Sequence, residues 1–469
     1  MDGHDIYLSP YSWRYGSNEM RHLWSEVYKR RMWRMIWVTL AEVQSEFGLV
    51  SVEQVADLRE HIASVDIPRA FALEKQIHHD LMAELKTFAE SAPIGGGALH
   101  LGATSADIED NADVLRTRQA FELIIEKLRG LLLAFVDAAD KWAELPLMAF
   151  THLQPAEPTT LGYRLSIYSQ DLFMDWDDLR RACRSLRGKG FKGAVGTGAS
   201  YAELIGRDNL AEFETRLAMR LNLPFYPVTT QVYPRKQDYR VMCALAGLGS
   251  SLHKFALDLR ILQSPSFGEL AEPFGGKQVG SSAMPFKRNP INAEKIDSLA
   301  RSLAQLPRQA WDNAALSALE RTLDDSANRR SMLPEAFLIA DELIEVTRHI
   351  VDGLIVDENA IERNLSMYAP FAGTERVLMA LGKAGADRQI MHERLRELAM
   401  NAWVSVGKGQ GNPLSELIPR EPDFLEYLTA DKLRELLDAS QYLGDAPKRA
   451  RELSRTIREA LNSSPVGEH

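Results

Sequence analysis

Hydrophobic positions along the 469-residue chain recur mainly at the three-and-four spacing of an α-helix. From Ser17 to Gly48 this spacing is continuous, with Ser17 a suitable N-cap and Gly48 a suitable stop. A longer run begins near Ser105 and continues to Pro146. It predicts a helix of roughly 40 residues, or about 60 Å, a length that is typical of helix bundles.

Three further runs predict long helices, over residues 160–187, 236–262 and 292–318, with a kink at Pro307 in the last. Strand patterns are nearly absent, and extended pieces such as PFYPVTTQVYP are typical of connections. The pattern therefore predicts an all-α fold around a central bundle of long helices.

The chain changes character at two places. Residues 91–104 are glycine-rich, and around residues 352–360 long helices give way to shorter, more charged ones. These changes predict an N-terminal helical domain over 1–104, a central long-helix domain over 105–355 and a C-terminal helical domain over 356–469. The polar tail NSSPVGEH is expected to fray.

Composition excludes several classes of protein. The hydrophobic fraction of 45% supports a large core, and the net charge of −10 argues against a nucleic-acid-binding surface. A local cluster of Arg and Lys could still bind a small anion. The first sixteen residues lack the apolar stretch of a signal peptide, and no window of eighteen residues is apolar and uncharged. A cytoplasmic protein without a membrane span is therefore expected.

The two cysteines, Cys183 and Cys243, can supply neither a disulfide framework nor a cysteine zinc site. Both lie in helical patterns, so we expect them to be buried or half-buried packing residues in a reducing compartment.

A polar loop is predicted at Gly275–Pro290, with the sequence GGKQVGSSAMPFKRNP. A long polar loop in a helical protein is a candidate functional element, although it could also be a solvated connection. The second candidate is His152, which stands in FTHLQP just before a predicted helix. A lone histidine is more often structural than catalytic.

Two more segments carry polar groups at predicted helix starts. Thr104 and Ser105 precede the longest helix, where they could cap it or offer hydroxyls and backbone N–H groups to an anion. Residues 320–330, ERTLDDSANRR, hold three arginines and a serine, which suit phosphate recognition. The alternative for this segment is a salt-bridged surface helix.

Together these segments resemble the fumarase/aspartase superfamily, whose members share a loop of the form GSSxMPxKxN. Here the loop reads GSSAMPFKRNP at Gly280–Pro290. Within the superfamily the chain is similar to the adenylosuccinate lyase family, over about residues 6 to 400. The matching motifs are SxRY at 12–15, HD at 79–80, HLGATS at 100–105, TH at 151–152 and RTLDDSANRR at 321–330.

The resemblance implies a three-domain all-α fold whose long-helix bundle assembles into a homotetramer, with each active site shared by three subunits. It implies β-elimination of fumarate from adenylosuccinate, giving AMP, and from succinyl-carboxamide imidazole ribotide (SAICAR), giving AICAR. The implied partners are these small molecules, with no nucleic acid, membrane, metal or organic cofactor.

The resemblance also implies roles for individual residues. Ser281 would be the general base, His152 the general acid, and Lys287 and Asn289 would face the succinyl carboxylate where charge develops, with His79 near the phosphate or His152. The other implied substrate-binding residues are Arg14, Tyr15, His78, Asp80, Thr104, Ser105, Thr151, Gln231, Lys295, Arg321, Ser326 and Arg330.

Three positions depart from the pattern of the animal enzymes, because His78, Asn292 and Lys295 stand where arginines are common. These differences leave open the relative activity on the two substrates, and a relative that acts on a related succinyl-amino nucleotide. A lyase acting on argininosuccinate, aspartate or malate would have little use for the arginines at 14 and 321–330. A structural protein of the lens-crystallin kind should have lost its catalytic positions, which are present here.

Overall fold

The computed structural model describes residues 5–438, 440 and 442–463, which are largely helical. Asn462 and Ser463 of the polar tail belong to the last helix, so the expected fraying is wrong for them, and residues 464–469 lie outside the described range. Among the described residues, no helix has the length and apolarity needed to cross a membrane. The all-α prediction is confirmed.

The N-terminal helices are α1 Asn18–Leu23, α2 Glu26–Glu46, α3 Val52–Glu60, α4 Ile67–Ile77 and α5 Asp80–Ser91. The single helix predicted from Ser17 to Gly48 is wrong, because the chain breaks at Trp24 and Ser25 starts a second helix. The Ser25 hydroxyl accepts a hydrogen bond from the Tyr28 N–H at 3.2 Å, which is an N-cap interaction. The predicted cap at Ser17 is present, with Met20 N–H as its donor at 3.3 Å.

The long-helix region contains α6 Ser105–Lys141, α7 Leu161–Arg184, α8 Ala199–Ile205, α9 Leu210–Arg220, α10 Lys236–Gln263, α11 Ile291–Leu303, α12 Leu306–Ala315 and α13 Ser326–Asp352. The 37-residue helix α6 confirms the longest prediction. Instead of kinking one helix, Pro307 lies in the first turn of α12, where its missing N–H costs no hydrogen bond.

A β-hairpin precedes α7, formed by antiparallel strands β1 Pro146–Thr151 and β2 Gln154–Thr160. A second, two-residue pairing joins β3 Leu270–Ala271 to β4 Ile355–Val356.

The C-terminal helices are α14 Glu358–Lys383, α15 Arg388–Gly407, α16 Leu414–Leu417, α17 Pro422–Leu425, α18 Ala430–Leu437 and α19 Ala446–Ser463. Short 3-10 turns lie at Pro10–Ser12, Gly96–Ala98, Arg207–Asn209 and Ile418–Arg420.

Helices α6, α10 and α13 run in the same direction. Near their starts, Arg329 of α13 donates to Asp238 of α10 at 2.8 Å. Beyond the far ends of α6 and α10, the Phe150 and Phe267 rings lie 4.9 Å apart. We call the first of these ends the Arg330 end and the second the His152 end.

The main hydrophobic core includes N-terminal side chains such as Trp37 and Phe88, the long helices, and Ile457 and Leu461 of α19. A smaller core lies among the C-terminal helices, around Phe424. The division into three domains stays a prediction.

Cys183 is buried, as expected, whereas Cys243 is exposed, so that expectation is wrong. Its neighbours Val241 and Met242 occupy the buried face of α10, and the next position turns away from it.

Candidate active site

A cavity at the Arg330 end is lined by acidic and basic side chains. Arg330 donates to Asp80 at 2.7 Å, and Arg321 donates to Asp325 at 2.7 Å. The implied ligands among the lining residues are Asp80, Arg321, Ser326 and Arg330. Among these candidates, the guanidinium groups of Arg321 and Arg330 and the hydroxyl of Ser326 suit an anion that carries several oxygens.

Further candidate residues adjoin this cavity. His79 caps α5, and its Nε2 lies 3.4 Å from the Ser105 hydroxyl oxygen. Thr104 caps α6, and its N–H donates to Asp107 at 3.0 Å. The Gln231 backbone N–H donates at 3.2 Å to the backbone carbonyl of Glu320, the residue directly before Arg321. His78, in the left-handed conformation with φ of 53°, precedes His79 and is exposed.

Buried ion pairs fix the walls of this cavity. Asp110 accepts hydrogen bonds from both terminal guanidinium nitrogens of Arg235 at 3.1 Å, and the Arg235 Nε–H donates to Asp325 at 2.6 Å. Although burial favours the neutral acid, Arg235 and Arg321 lower the pKa of Asp325. Asp325 therefore binds Arg321 and is itself held in place by Arg235.

Asp107 organises the start of α6. Its carboxylate pairs with the fully buried Lys189 and accepts from the Gly193 N–H at 3.2 Å and the Tyr201 hydroxyl at 3.2 Å. Neither Asp107 nor Asp110 was predicted from the sequence as a site residue. Their spacing of three, repeated at Asp113, puts all three on one helix face and could have indicated a shared role.

Glu109 also lines the cavity and has the most perturbed carboxyl there. Burial raises the pKa of Glu109 to about 8, and the carboxylates of Asp80, Asp110 and Asp113 act in the same direction, against Arg330. The carboxyl is therefore largely neutral at pH 7, so it does not repel an anion.

Arg14, Tyr15 and Lys295 form a second group, which lies along the middle of α13. The Lys295 ammonium lies 2.9 Å from Glu342, which also accepts the Gly16 N–H at 3.0 Å. Glu342 is the seventeenth residue of α13, about 24 Å from the helix start.

His152 lies at the other end of the bundle, and the prediction that it directly precedes a helix is wrong. It forms the tip of the β1–β2 hairpin with Leu153, and both have positive φ angles, of 54° and 59°. Thr151 pairs with Gln154 at the same tip. The cavity beside His152 is lined by Phe150, Leu153, Arg164, Lys254, Asp258, Ile261, Leu262 and Phe267.

The polar loop 275–290 leaves the bundle near the His152 end, where Gln263 donates to the Arg288 carbonyl at 3.1 Å. The Ser281 hydroxyl oxygen accepts the N–H groups of Ala283 at 3.3 Å and Met284 at 3.1 Å. Such donors favour the deprotonated form of an oxygen.

Other residues of the loop region are placed as follows. Asn289 donates its side-chain amide to the Gly280 carbonyl at 2.9 Å, which closes the loop, and Lys287 is exposed. Asn292, one of the departures from the animal pattern, is bound to Glu272 through its side chain at 3.2 Å.

One chain cannot bring His152 to the Arg330 end. Helix α6 has 37 residues and spans about 55 Å. The stretch from Lys141 to His152 reaches at most about 40 Å when fully extended. His152 therefore stays at least about 15 Å from Ser105 of the same chain. The candidate residues thus form separate groups in a single chain.

No group of three or more His, Cys, Asp or Glu residues suited to a metal ion is present in the described ranges 5–438, 440 and 442–463.

Comparison with known proteins identifies the class. Residues 15–304 match the family model described as "Lyase". The fold is similar to a fumarate lyase from Mesorhizobium sp. BNC1, with a TM-score of 0.83 and 24% identity over 96% of this chain and 99% of that one. It is equally similar to the 3-carboxy-cis,cis-muconate lactonizing enzyme of Pseudomonas putida, with a TM-score of 0.83 over 95% of this chain and 98% of the other at 24% identity. The chain has the fold of the fumarase/aspartase superfamily.

Sequence relatives narrow the class. Residues 370–453 match the family model "Adenylosuccinate lyase C-terminus". The adenylosuccinate lyase of Schizosaccharomyces pombe is 37% identical over 98% of this chain and 97% of its own length. Its counterpart in Saccharomyces cerevisiae is 38% identical over 99% and 96%. The chain therefore belongs to the adenylosuccinate lyase family of C–N lyases.

Proposed function

We propose that this enzyme eliminates fumarate from adenylosuccinate, giving AMP, and from SAICAR, giving AICAR. The observation that carries the proposal is the cavity at the Arg330 end. There Arg321, Ser326 and Arg330 line one cavity and would bind the phosphate. In the adjoining wall, the Ser105 hydroxyl oxygen lies 3.4 Å from Nε2 of His79. Binding would replace carboxylate partners of the arginines with phosphate oxygens.

In the proposed reaction, Ser281 removes the proton beside one succinyl carboxylate. A free serine hydroxyl is too weak an acid to ionise for this role. The Ala283 and Met284 N–H groups already donate hydrogen bonds to the Ser281 oxygen and would stabilise its alkoxide. Closing the exposed loop over the substrate would exclude water and strengthen these hydrogen bonds. Lys287 and Asn289 would then stabilise the dianionic intermediate.

His152 would protonate the departing nitrogen. Imidazole is the side chain best suited to exchanging a proton near neutral pH. His152 is exposed at the hairpin tip, so a second chain could approach its ring. Together with Thr151 it would enter the site of another subunit.

The proposal includes a homotetramer in the cytoplasm, with Gln231, Thr104 and Ser105 holding the dicarboxylate in sites shared by three subunits. Support comes from the separation of at least about 15 Å between His152 and Ser105. Two copies packed with their bundles antiparallel would set the His152 end of one against the Arg330 end of the other.

The first test follows ultraviolet absorbance while adenylosuccinate is converted, for the wild type and for Ser281→Ala. We expect stoichiometric AMP and fumarate from the wild type, and a loss of at least about 10³-fold in kcat for Ser281→Ala, because the base is removed. Ser282→Ala is the matched control, since it deletes the neighbouring hydroxyl and should retain most activity.

A folded wild type that is inert on both adenylosuccinate and SAICAR would contradict the proposed function. If Ser281→Ala kept the activity of Ser282→Ala, the role of Ser281 as the base would be wrong.

A further inference from the structure

Two adjacent carboxylates on α13 hold the segment that follows Arg14 and Tyr15. The Ser17 N–H donates to Asp341 at 2.5 Å, and the Gly16 N–H donates to Glu342 at 3.0 Å. Because these donors directly follow Tyr15, the two hydrogen bonds determine where the turn lies along α13.

The Glu342 carboxylate also binds Lys295, which belongs to a distant segment of the chain. One oxygen of Glu342 accepts from Lys295 at 2.9 Å, while the other accepts from Gly16. The Glu342 side chain is only 14% exposed and that of Lys295 33% exposed. A single carboxylate therefore links two elements that carry candidate substrate-binding residues.

The turn has little freedom to settle elsewhere. Gly16 has φ of +79°, and a Cβ atom there would lie 2.7 Å from Leu338 Cδ2. Asp341 is fully buried and pairs with Lys127 at 2.6 Å. Although burial favours the neutral amine, Asp341 and Glu345 raise the pKa of Lys127, so this anchor stays charged.

We propose that Glu342 is a positioning residue that holds the Arg14–Tyr15 turn and Lys295 in one arrangement around the nucleotide. The inference rests on the proposed function and assigns these residues to the part of the substrate that does not react. The Lys295 ammonium donates one N–H to Glu342, and its other two N–H groups can donate to oxygens of the anionic nucleotide.

Glu342→Gln tests the proposal, because an amide has one acceptor oxygen and cannot serve both Gly16 and Lys295. We expect the KM for adenylosuccinate to rise about tenfold and kcat to stay within about twofold, as for the loss of uniform binding. Hydrogen exchange at the Gly16 amide should also accelerate. If the glutamine variant does not fold, Glu342→Asp should give a smaller rise in KM in the same direction.

Asp352→Asn is the matched control, since Asp352 lies on the same helix, is 52% exposed and pairs only with Arg348 among the ion pairs described, at 2.6 Å. Its KM should match the wild type. Lys295→Met supplies the second background, in which Glu342→Gln should raise KM by a clearly smaller factor.

Equal factors in both backgrounds, or a fall in kcat with KM unchanged, would overturn the positioning role. A wild type without lyase activity would instead overturn the proposed function, so the two failures can be told apart.

Discussion

Among single residues, Glu109 gives the clearest dependence on pH. The unfolded chain ionises this carboxyl near its ordinary value of 4.5, whereas the folded chain keeps it protonated up to about 8. Between these values the native state binds more protons, so stability falls as the pH rises. We therefore expect Glu109→Gln to raise the free energy of unfolding by roughly 2–4 kcal/mol at pH 8 and not at all near pH 4.5.

Thermal unfolding of both proteins across this range measures the difference. Glu122→Gln controls for a general effect of removing a carboxylate from α6. A constant difference between Glu109→Gln and the wild type from pH 4.5 to 8 would contradict the raised pKa.

The candidate substrate-binding residues could be predicted from the sequence, because most of them lie in short contiguous motifs. The residues that hold them in place could not. Lys189 reaches Asp107 from 82 positions away, and Arg235 reaches Asp110 from 125. Such pairings depend on which helices pack together, and a periodic pattern in one segment does not contain that information.

At the scale of elements, helices were predictable and the β1–β2 hairpin was not. Pro155 and Pro158 in β2 cannot donate to a ladder and argue against a strand. Two non-glycine residues at the tip, His152 and Leu153, adopt a conformation that usually requires glycine or asparagine. Backbone strain of this kind is common at functional sites.

Leu153→Gly tests whether that strain aims the imidazole of His152. The Leu153 side chain is 62% exposed, so little packing is lost. Relief at a left-handed position should raise the free energy of unfolding by about 1 kcal/mol. The freer tip should lower kcat severalfold. Leu153→Ala keeps the strain and should retain kcat, and a fall in stability for the glycine variant alone would contradict the assignment.

At the scale of the whole molecule, the sequence motifs indicate the family and its reaction, but they do not indicate where the motifs lie relative to one another. The motifs lie far apart along the sequence. The structure places them in three groups, at the Arg330 end, at the middle of α13 and at the His152 end. Because His152 stays at least about 15 Å from Ser105 of its own chain, the proposed function requires that different chains contribute these two residues to one site. The shared site that we propose would follow from the length of α6, and mixing two inactive variants can test it.

The test mixes two inactive variants, His152→Gln and Arg330→Met, after dissociating and reassociating the chains. If each site takes His152 from one chain and Arg330 from another, random mixing leaves both residues native in about a quarter of the sites. Activity should therefore recover to about a quarter of the wild-type value. Each variant reassociated alone controls for spontaneous recovery. Mixed oligomers that mass spectrometry detects but that remain inactive would show that His152 and Arg330 of different chains do not share a site.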